Sequence, residues 1–160
     1  MSEVLFAQEL EDELACVAIP TPGATLLLPN VCVAEIVKLK AIKPVENGPD
    51  WLVGQTGWRG QTISVVRFAG FDEPNPSDDG SRCLVVMNRS KVPQAPSFYA
   101  LIATGLPRIL QLLPSDLKNH DESLGPADAM KVIVGTEAAT IPDLGYVETC
   151  LKEVTAQLSN

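Results

Sequence analysis

Apolar residues along this chain come in short runs, each cut off by proline, glycine or a charged cluster. Residues 14–19 (Leu-Ala-Cys-Val-Ala-Ile) read as a buried strand stopped by Pro20-Thr21-Pro22-Gly23, and residues 24–28 return as its hairpin partner. Residues 31–37 (Val-Cys-Val-Ala-Glu-Ile-Val) fit a helical turn followed by a strand as well as a strand throughout, and periodicity does not choose between them. After a loop over 41–50, two apolar-rich runs within 51–68 are joined by Gly57-Trp58-Arg59-Gly60. Glycine tolerates the positive φ of a tight reversal, so this segment predicts a β-hairpin with an arginine at its tip. Beyond the turn, period-two alternation puts Ile63, Val65 and Arg67 on one face and Thr62, Ser64, Val66 and Phe68 on the other.

The second half repeats the theme. A polar, proline-rich acidic loop over 72–81 precedes a strand over 82–88, a turn over 90–97 and a strand over 98–103. Gly105 and Pro107 break the chain before an apolar run at 109–113, and the polar segment 114–129 reads as an exposed loop. Residues 130–134 and 138–141 form a last strand pair. Leu144, Val147, Leu151, Val154 and Leu158 then recur every three to four residues, which marks an amphipathic C-terminal helix with Asp143 as its cap. At the other end, residues 2–13 are an acidic lead-in of one or two helical turns capped by Ser2. About ten short strands and one terminal helix favour a closed or sandwiched all-β architecture.

Composition narrows the function classes. The 160 residues suit one domain, or one domain of two small subdomains, and 46% hydrophobic with 20% charged residues describes a chain that folds. No apolar run approaches the roughly 20 residues of a membrane helix. Met1-Ser2-Glu3 lacks the basic start of a signal peptide, so a cytoplasmic location without membrane insertion is the expectation. A net charge of −8 argues against nucleic acid. Cys16, Cys32, Cys83 and Cys150 are scattered without metal-ligand spacing, and the first three sit in strand-like runs as small buried hydrophobes.

No catalytic, cofactor or metal site emerges. His120, the single histidine, lies in a polar stretch beside Asn119 and Asp121 and reads as a solvated surface residue. Asp72, Glu73, Asp78 and Asp79 share one proline-rich loop without the ligand order of a cation site. Trp58 and Arg59 are of the types enriched at binding hot spots, although an ordinary hairpin with a solvated tip fits them too.

Several segments together resemble the CheW-like adaptor domains of bacterial chemosensory arrays. Pro29, Val31 and Val33-Ala34-Glu35-Ile36 are similar to the family's proline, valine and Val-x-Glu-Ile; Pro49 to Gly54 and Trp58-Arg59-Gly60 are similar to its Pro-x-x-Gly and Arg-Gly elements. Ala100-Leu101-Ile102-Ala103-Thr104 is similar to a second-subdomain strand usually reading Gly-Leu-Leu-Val-Asp. The resemblance implies a single domain over 14–153 with terminal extensions at 1–13 and 154–160. Its fold would be two packed five-stranded β-barrel subdomains with a C-terminal helix. It further implies a non-enzymatic, cofactor-free adaptor that binds the regulatory domain of a CheA-like histidine kinase and the cytoplasmic tip of a chemoreceptor, in arrays that control motility. The receptor-side candidates are Val33, Glu35, Ile36, Trp58 and Arg59: Val33 and Ile36 as aliphatic walls of a groove between the subdomains, Glu35 and Arg59 as its charged rim. Val33 and Ile36 serve equally well as core, and Glu35 as a partner of Arg59 or Lys38.

Two departures stand out. Arg67 occupies a strand where the family commonly has Pro-Val-x-Asp-Leu, and Ala103-Thr104 replaces Val-Asp. Such divergence is similar to that of accessory adaptors of the ChpC type in pilus-linked systems controlling twitching motility. Outside this family, the sequence leaves a β-barrel module for a small ligand or another protein, and a hydrolase built on His120.

Overall fold

The computed structural model describes residues 13–77 and 80–158. The acidic lead-in with its Ser2 cap therefore lies outside the described residues but for Glu13, and so do Asp78 and Asp79. Strand β1 (Leu14–Thr21) pairs antiparallel with β2 (Ala24–Pro29), and a 3-10 turn (Asn30–Cys32) leads into β3 (Val33–Lys38). The segment 31–37 is thus a turn followed by a strand. The hairpin is β4 (Leu52–Trp58) and β5 (Gln61–Val66); β6 (Cys83–Asn88) and β7 (Phe98–Ala103) follow. The chain then builds β8 (Arg108–Leu112), β9 (Leu117–Asn119), β10 (Asp128–Val134) and β11 (Glu137–Pro142) before the helix α1 (Leu144–Leu158).

These strands make two sheets with one terminal helix. One has the order β8-β1-β2-β11-β10-β9 and the other β3-β6-β7-β5-β4. The subdomains are interlaced: the chain starts in the six-stranded sheet, leaves it to build the whole five-stranded sheet, and returns. The run 100–104, placed by its family likeness in a second subdomain, therefore lies in the same sheet as β3 and the hairpin.

Period-two alternation distributes the apolar residues into three cores. In β6, Leu84 and Val86 point into the five-stranded subdomain with Ile63, Val65, Ala100 and Ile102. Their neighbours Cys83, Val85 and Met87 point the other way, into a central core with Val17, Ile19, Leu26, Leu28, Tyr99 and Leu101. Cys16, Ala18, Leu27, Leu112 and Val132 fill the six-stranded subdomain. Strands β1, β2, β6 and β7 are therefore covered on both faces, which is why they read as unbroken apolar runs. Leu144, Val147 and Leu151 seat the helix on the central core, and the Asp143 carboxylate accepts from Tyr146 N–H at 3.0 Å as the N-cap.

Three expectations need correction. The six-stranded sheet exceeds the five expected because 114–129 is not a plain loop: it contains β9, and Ala127 is buried in the central core. Three residues with one apolar member carry no readable period. Pro20 and Thr21 do not stop the first strand, since Pro20 pairs with Thr25 and the turn is Pro22-Gly23. Arg67 leaves β5 before it can share a face with Ile63 and Val65; its guanidinium donates to the Asp50 carbonyl at 3.0 Å. The four cysteines are free, with Cys16, Cys32 and Cys83 buried and Cys150 half-buried, and burial pushes all four thiols up.

Glu148, on the inner face of α1, is fully buried. Its Oε1 accepts from Lys91 N–H at 2.7 Å and Val92 N–H at 2.9 Å, and its Oε2 from Ser90 N–H at 2.8 Å and Ser90 Oγ at 2.9 Å. Replacing Glu148 by alanine removes the shared acceptor of three part-buried backbone donors and is expected to cost about 2–4 kcal/mol of unfolding free energy. Glu148→Gln is expected to cost less than alanine but still clearly destabilise, because its NH2 meets donors where an oxygen stood. Urea denaturation of both variants checks this; wild-type stability in Glu148→Ala would rule it out.

Candidate functional site

The hairpin closes at Trp58 opposite Gln61, and the two turn residues, Arg59 and Gly60, have φ of 46° and 77°. Positive φ at both positions is the geometry of a type I′ turn, whose strong preference is for Asn-Gly. Gly57, expected to bracket the turn, instead pairs with Thr62 inside the ladder. Trp58 is the last residue of β4 and its ring turns inward, packing against Phe98 with centroids 4.8 Å apart and planes tilted by 54°. Only Arg59 stands at the tip.

Opposite it lies β3, where a β-bulge between Val33 and Glu35 changes the phase of the strand. Val33 pairs with Met87 and packs on the central core, while Glu35 pairs with Val86 and Val37 with Leu84, both residues of the five-stranded interior. Strict alternation would have put Val33 and Glu35 on one face. The bulge instead sends the Glu35 carboxylate toward the hairpin and leaves Val33 and Ile36 facing the other subdomain.

The result is a compact node. Trp58 Nε1–H donates to Glu35 Oε1 at 2.8 Å, and Arg59 Nε–H donates to the same oxygen at 3.3 Å. The guanidinium carbon sits 5.2 Å from the Trp58 ring centroid, a cation–π distance. Strands β3 and β4 are the two ends of the five-stranded sheet, so this node joins one edge to the other. Below it, Lys43 and Gln55 exchange backbone hydrogen bonds at 2.8 and 2.9 Å, next to Gly54, where a Cβ would overlap the Lys43 carbonyl. The Trp58 hydrogen bond first, and the Arg59 hydrogen bond second, hold the Glu35 carboxyl below the usual glutamate range. Arg59 and Glu35 side chains keep 67% and 37% of their surface exposed.

Ile36, 43% exposed, lines a separate open groove of about 590 Å³ together with Lys38, Arg82, Thr104 and Leu106. Leu106, 77% exposed, belongs to the link that returns the chain to the six-stranded sheet, so the groove lies along the junction of the subdomains. Its charged lining residues are both cations. The structure thus brings Glu35, Trp58 and Arg59 together and puts Ile36 beside Leu106. Leu106 and Arg82 were not singled out from sequence; an apolar residue between the breakers Gly105 and Pro107 was the available signal.

His120 is not the solvated residue expected. It is half-buried, its Nε2 lies 3.4 Å from Glu122 and its backbone N–H bonds Lys131 O at 2.9 Å. It lines a cleft of about 270 Å³ with Asp72, Glu122, Asp128 and Lys131. Among the described residues no cluster of metal-ligating side chains occurs, and no helix is long and apolar enough to cross a membrane.

Residues 16–145 match the family model of the CheW-like domain. The crystal structure of scaffolding protein TtCheW from Thermoanaerobacter tengcongensis is similar in fold, with a TM-score of 0.65 at 13% sequence identity over 81% of this chain and 84% of that one. No curated protein sequence matches the chain.

The lowered Glu35 carboxyl has a pH signature. A depressed folded-state value means that the node's contribution is present above the ordinary glutamate range and is lost as pH falls through the folded value. A carboxyl-carbon NMR titration is expected to place Glu35 below the ordinary glutamate value of about 4.3. Trp58→Phe, which removes the shorter of the two hydrogen bonds to the carboxylate, is expected to raise that midpoint; an unmoved midpoint would show that Trp58 does not hold the carboxylate.

Proposed function

The chain belongs to the CheW-like family, and from that premise we propose that it is a non-enzymatic adaptor of a chemosensory array, coupling chemoreceptor tips to a CheA-like histidine kinase on the cytoplasmic side of the membrane. The adaptor unit in this reading is 14–153, with 1–13 and 154–160 as extensions. The observation that carries the proposal is Arg59. A left-handed backbone costs a non-glycine residue about 1–2 kcal/mol, and asparagine or glycine would close the same turn with less strain. Backbone strain kept at an exposed, oriented cation fits a binding role better than a structural one.

Val33, Glu35, Ile36, Trp58 and Arg59 are the receptor-side residues in this reading, in three roles. Trp58 orients, Glu35 and Arg59 present charge, Ile36 lines the junction groove, and Val33 backs the strand from the central core. Leu106 extends that apolar wall, and Lys38 and Arg82 flank it. An exposed aliphatic strip bordered only by cations, on a chain of net charge −8, suits an amphipathic helix with acidic flanks. Arg67 and Thr104 depart from the family pattern, and we assign the chain to the accessory adaptors, of the ChpC type, that serve pilus-driven twitching.

Calorimetric titration against a receptor signalling-tip fragment and, separately, the regulatory domain of the kinase tests this. Saturable binding to both is expected. Arg59→Asn is expected to hold thermal stability within about 1 kcal/mol, because asparagine accepts the left-handed turn, while weakening the tip complex. Leu106→Asp is expected to weaken the tip and spare the kinase domain. Binding to neither partner would refute the adaptor reading.

A further inference from the structure

The Glu35–Arg59 pair is incomplete in a specific way. Glu35 Oε1 takes both donors, from Trp58 and from Arg59 Nε, while Oε2 accepts no hydrogen bond from the described residues. Arg59 donates through Nε alone, and its two Nη groups meet no acceptor among the described residues. Without Trp58, a side-on guanidinium–carboxylate pair would engage Nε and one Nη with both oxygens and close on itself. Trp58 holds Oε1 at the shorter distance, and the ring under the guanidinium fixes the arginine's plane. What is left at the surface is one acceptor next to a set of donors, on two side chains that are 37% and 67% exposed.

We propose that this half-satisfied pair is a receptor for a carboxamide side chain, a glutamine or asparagine projecting from the docked partner, with Trp58 as the positioning residue. The amide oxygen accepts from Arg59 Nη and the amide NH2 donates to Glu35 Oε2, so both leftover groups are matched by one planar ligand. A carboxylate matches only half of the site: it would accept from Arg59 but set two oxygens beside the Glu35 oxygen that has no donor. The pair is also close to neutral as a whole, which suits a neutral ligand. This inference rests on the adaptor reading and adds the chemistry that its charged node recognises.

The test uses the full chain and a receptor signalling-tip fragment in which each exposed Gln and Asn is changed in turn to Ala and to Glu or Asp. Double-mutant cycles pair these variants with Arg59→Gln and Glu35→Ala. One tip carboxamide is expected to show coupling of about fivefold or more in Kd with both Arg59 and Glu35. Its conversion to the acid is expected to weaken binding at least as much as alanine, and the coupling is expected to vary little between 50 and 300 mM salt, about the range over which exposed ion pairs are screened. Trp58→Phe is expected to reduce the coupling, and Trp58→Phe with Glu35→Ala to lose no more than Glu35→Ala alone, a pattern that a merely structural tryptophan does not give. Wild-type binding with no carboxamide coupled to Arg59, or with an aspartate or glutamate as the salt-sensitive coupled residue, would overturn this inference and leave the adaptor reading intact. Absence of wild-type binding to the tip would overturn both.

Discussion

A buried carboxylate fixes the relation between the two halves of this molecule. Removing an ionised glutamate from water is costly unless every oxygen lone pair that loses water gains a donor. Glu148 meets that condition with three backbone N–H groups and one hydroxyl, all from Ser90, Lys91 and Val92 between β6 and β7. Because the donors are mostly backbone, they do not depend on the side chains of Lys91 and Val92. The consequence is geometric. The β6–β7 connection belongs to the five-stranded subdomain, and α1 follows the last strand of the six-stranded one, so the charge ties the two together across the central core. The same interior holds the Tyr99 hydroxyl, which has no partner among the described residues and whose ionisation burial first, and the Glu148 charge second, push far up.

With the subdomains held in one relation, the surface features at their junction are preorganised. The groove between Ile36 and Leu106 takes one wall from β3 and the other from the link after β7, with Arg82 and Cys83 at its floor. A second tie acts nearby, where Thr104 N–H donates to the Pro20 carbonyl at 2.9 Å. The Glu35 node is independent of both ties. It is set inside one subdomain by a bulge, a type I′ turn and an indole, and it would survive a change in the angle between the sheets.

Much of this was legible in the sequence. The doubly buried strands announce themselves as apolar runs, and the helix by its three-to-four spacing, because their environments are uniform along their length. The hairpin tip was legible from Gly57 and Gly60, although only Gly60 is in the turn. What escaped depends on partners remote in sequence. The bulge at Ala34 is decided by how β3 registers on β6, so simple alternation misassigns Glu35. Trp58 reads as an exposed companion of Arg59 until the turn is known to hold only two residues. His120 and β9 read as loop because three residues paired to β10 leave no period, and Leu106 reads as a linker residue because nothing local shows that β3 runs past it.

The two departures from the family pattern take on a definite meaning in this frame. At position 104 the bond that ties the subdomains comes from the backbone N–H, so exchanging a carboxylate for threonine leaves it in place. At position 67 the backbone N–H donates to the Trp51 carbonyl at 2.7 Å and the guanidinium to the Asp50 carbonyl, so arginine here pins the segment that leads into β4. The backbone bonds at both positions are independent of the side chain, and the Arg67 guanidinium adds one more. Thr104 lies in the groove lining itself, beside Lys38 and Arg82. An aspartate there would have set a negative charge against the apolar strip; threonine leaves the cations unopposed. Of the two positions, Thr104 alone lies in the groove lining, while Arg67 acts at the entry to β4.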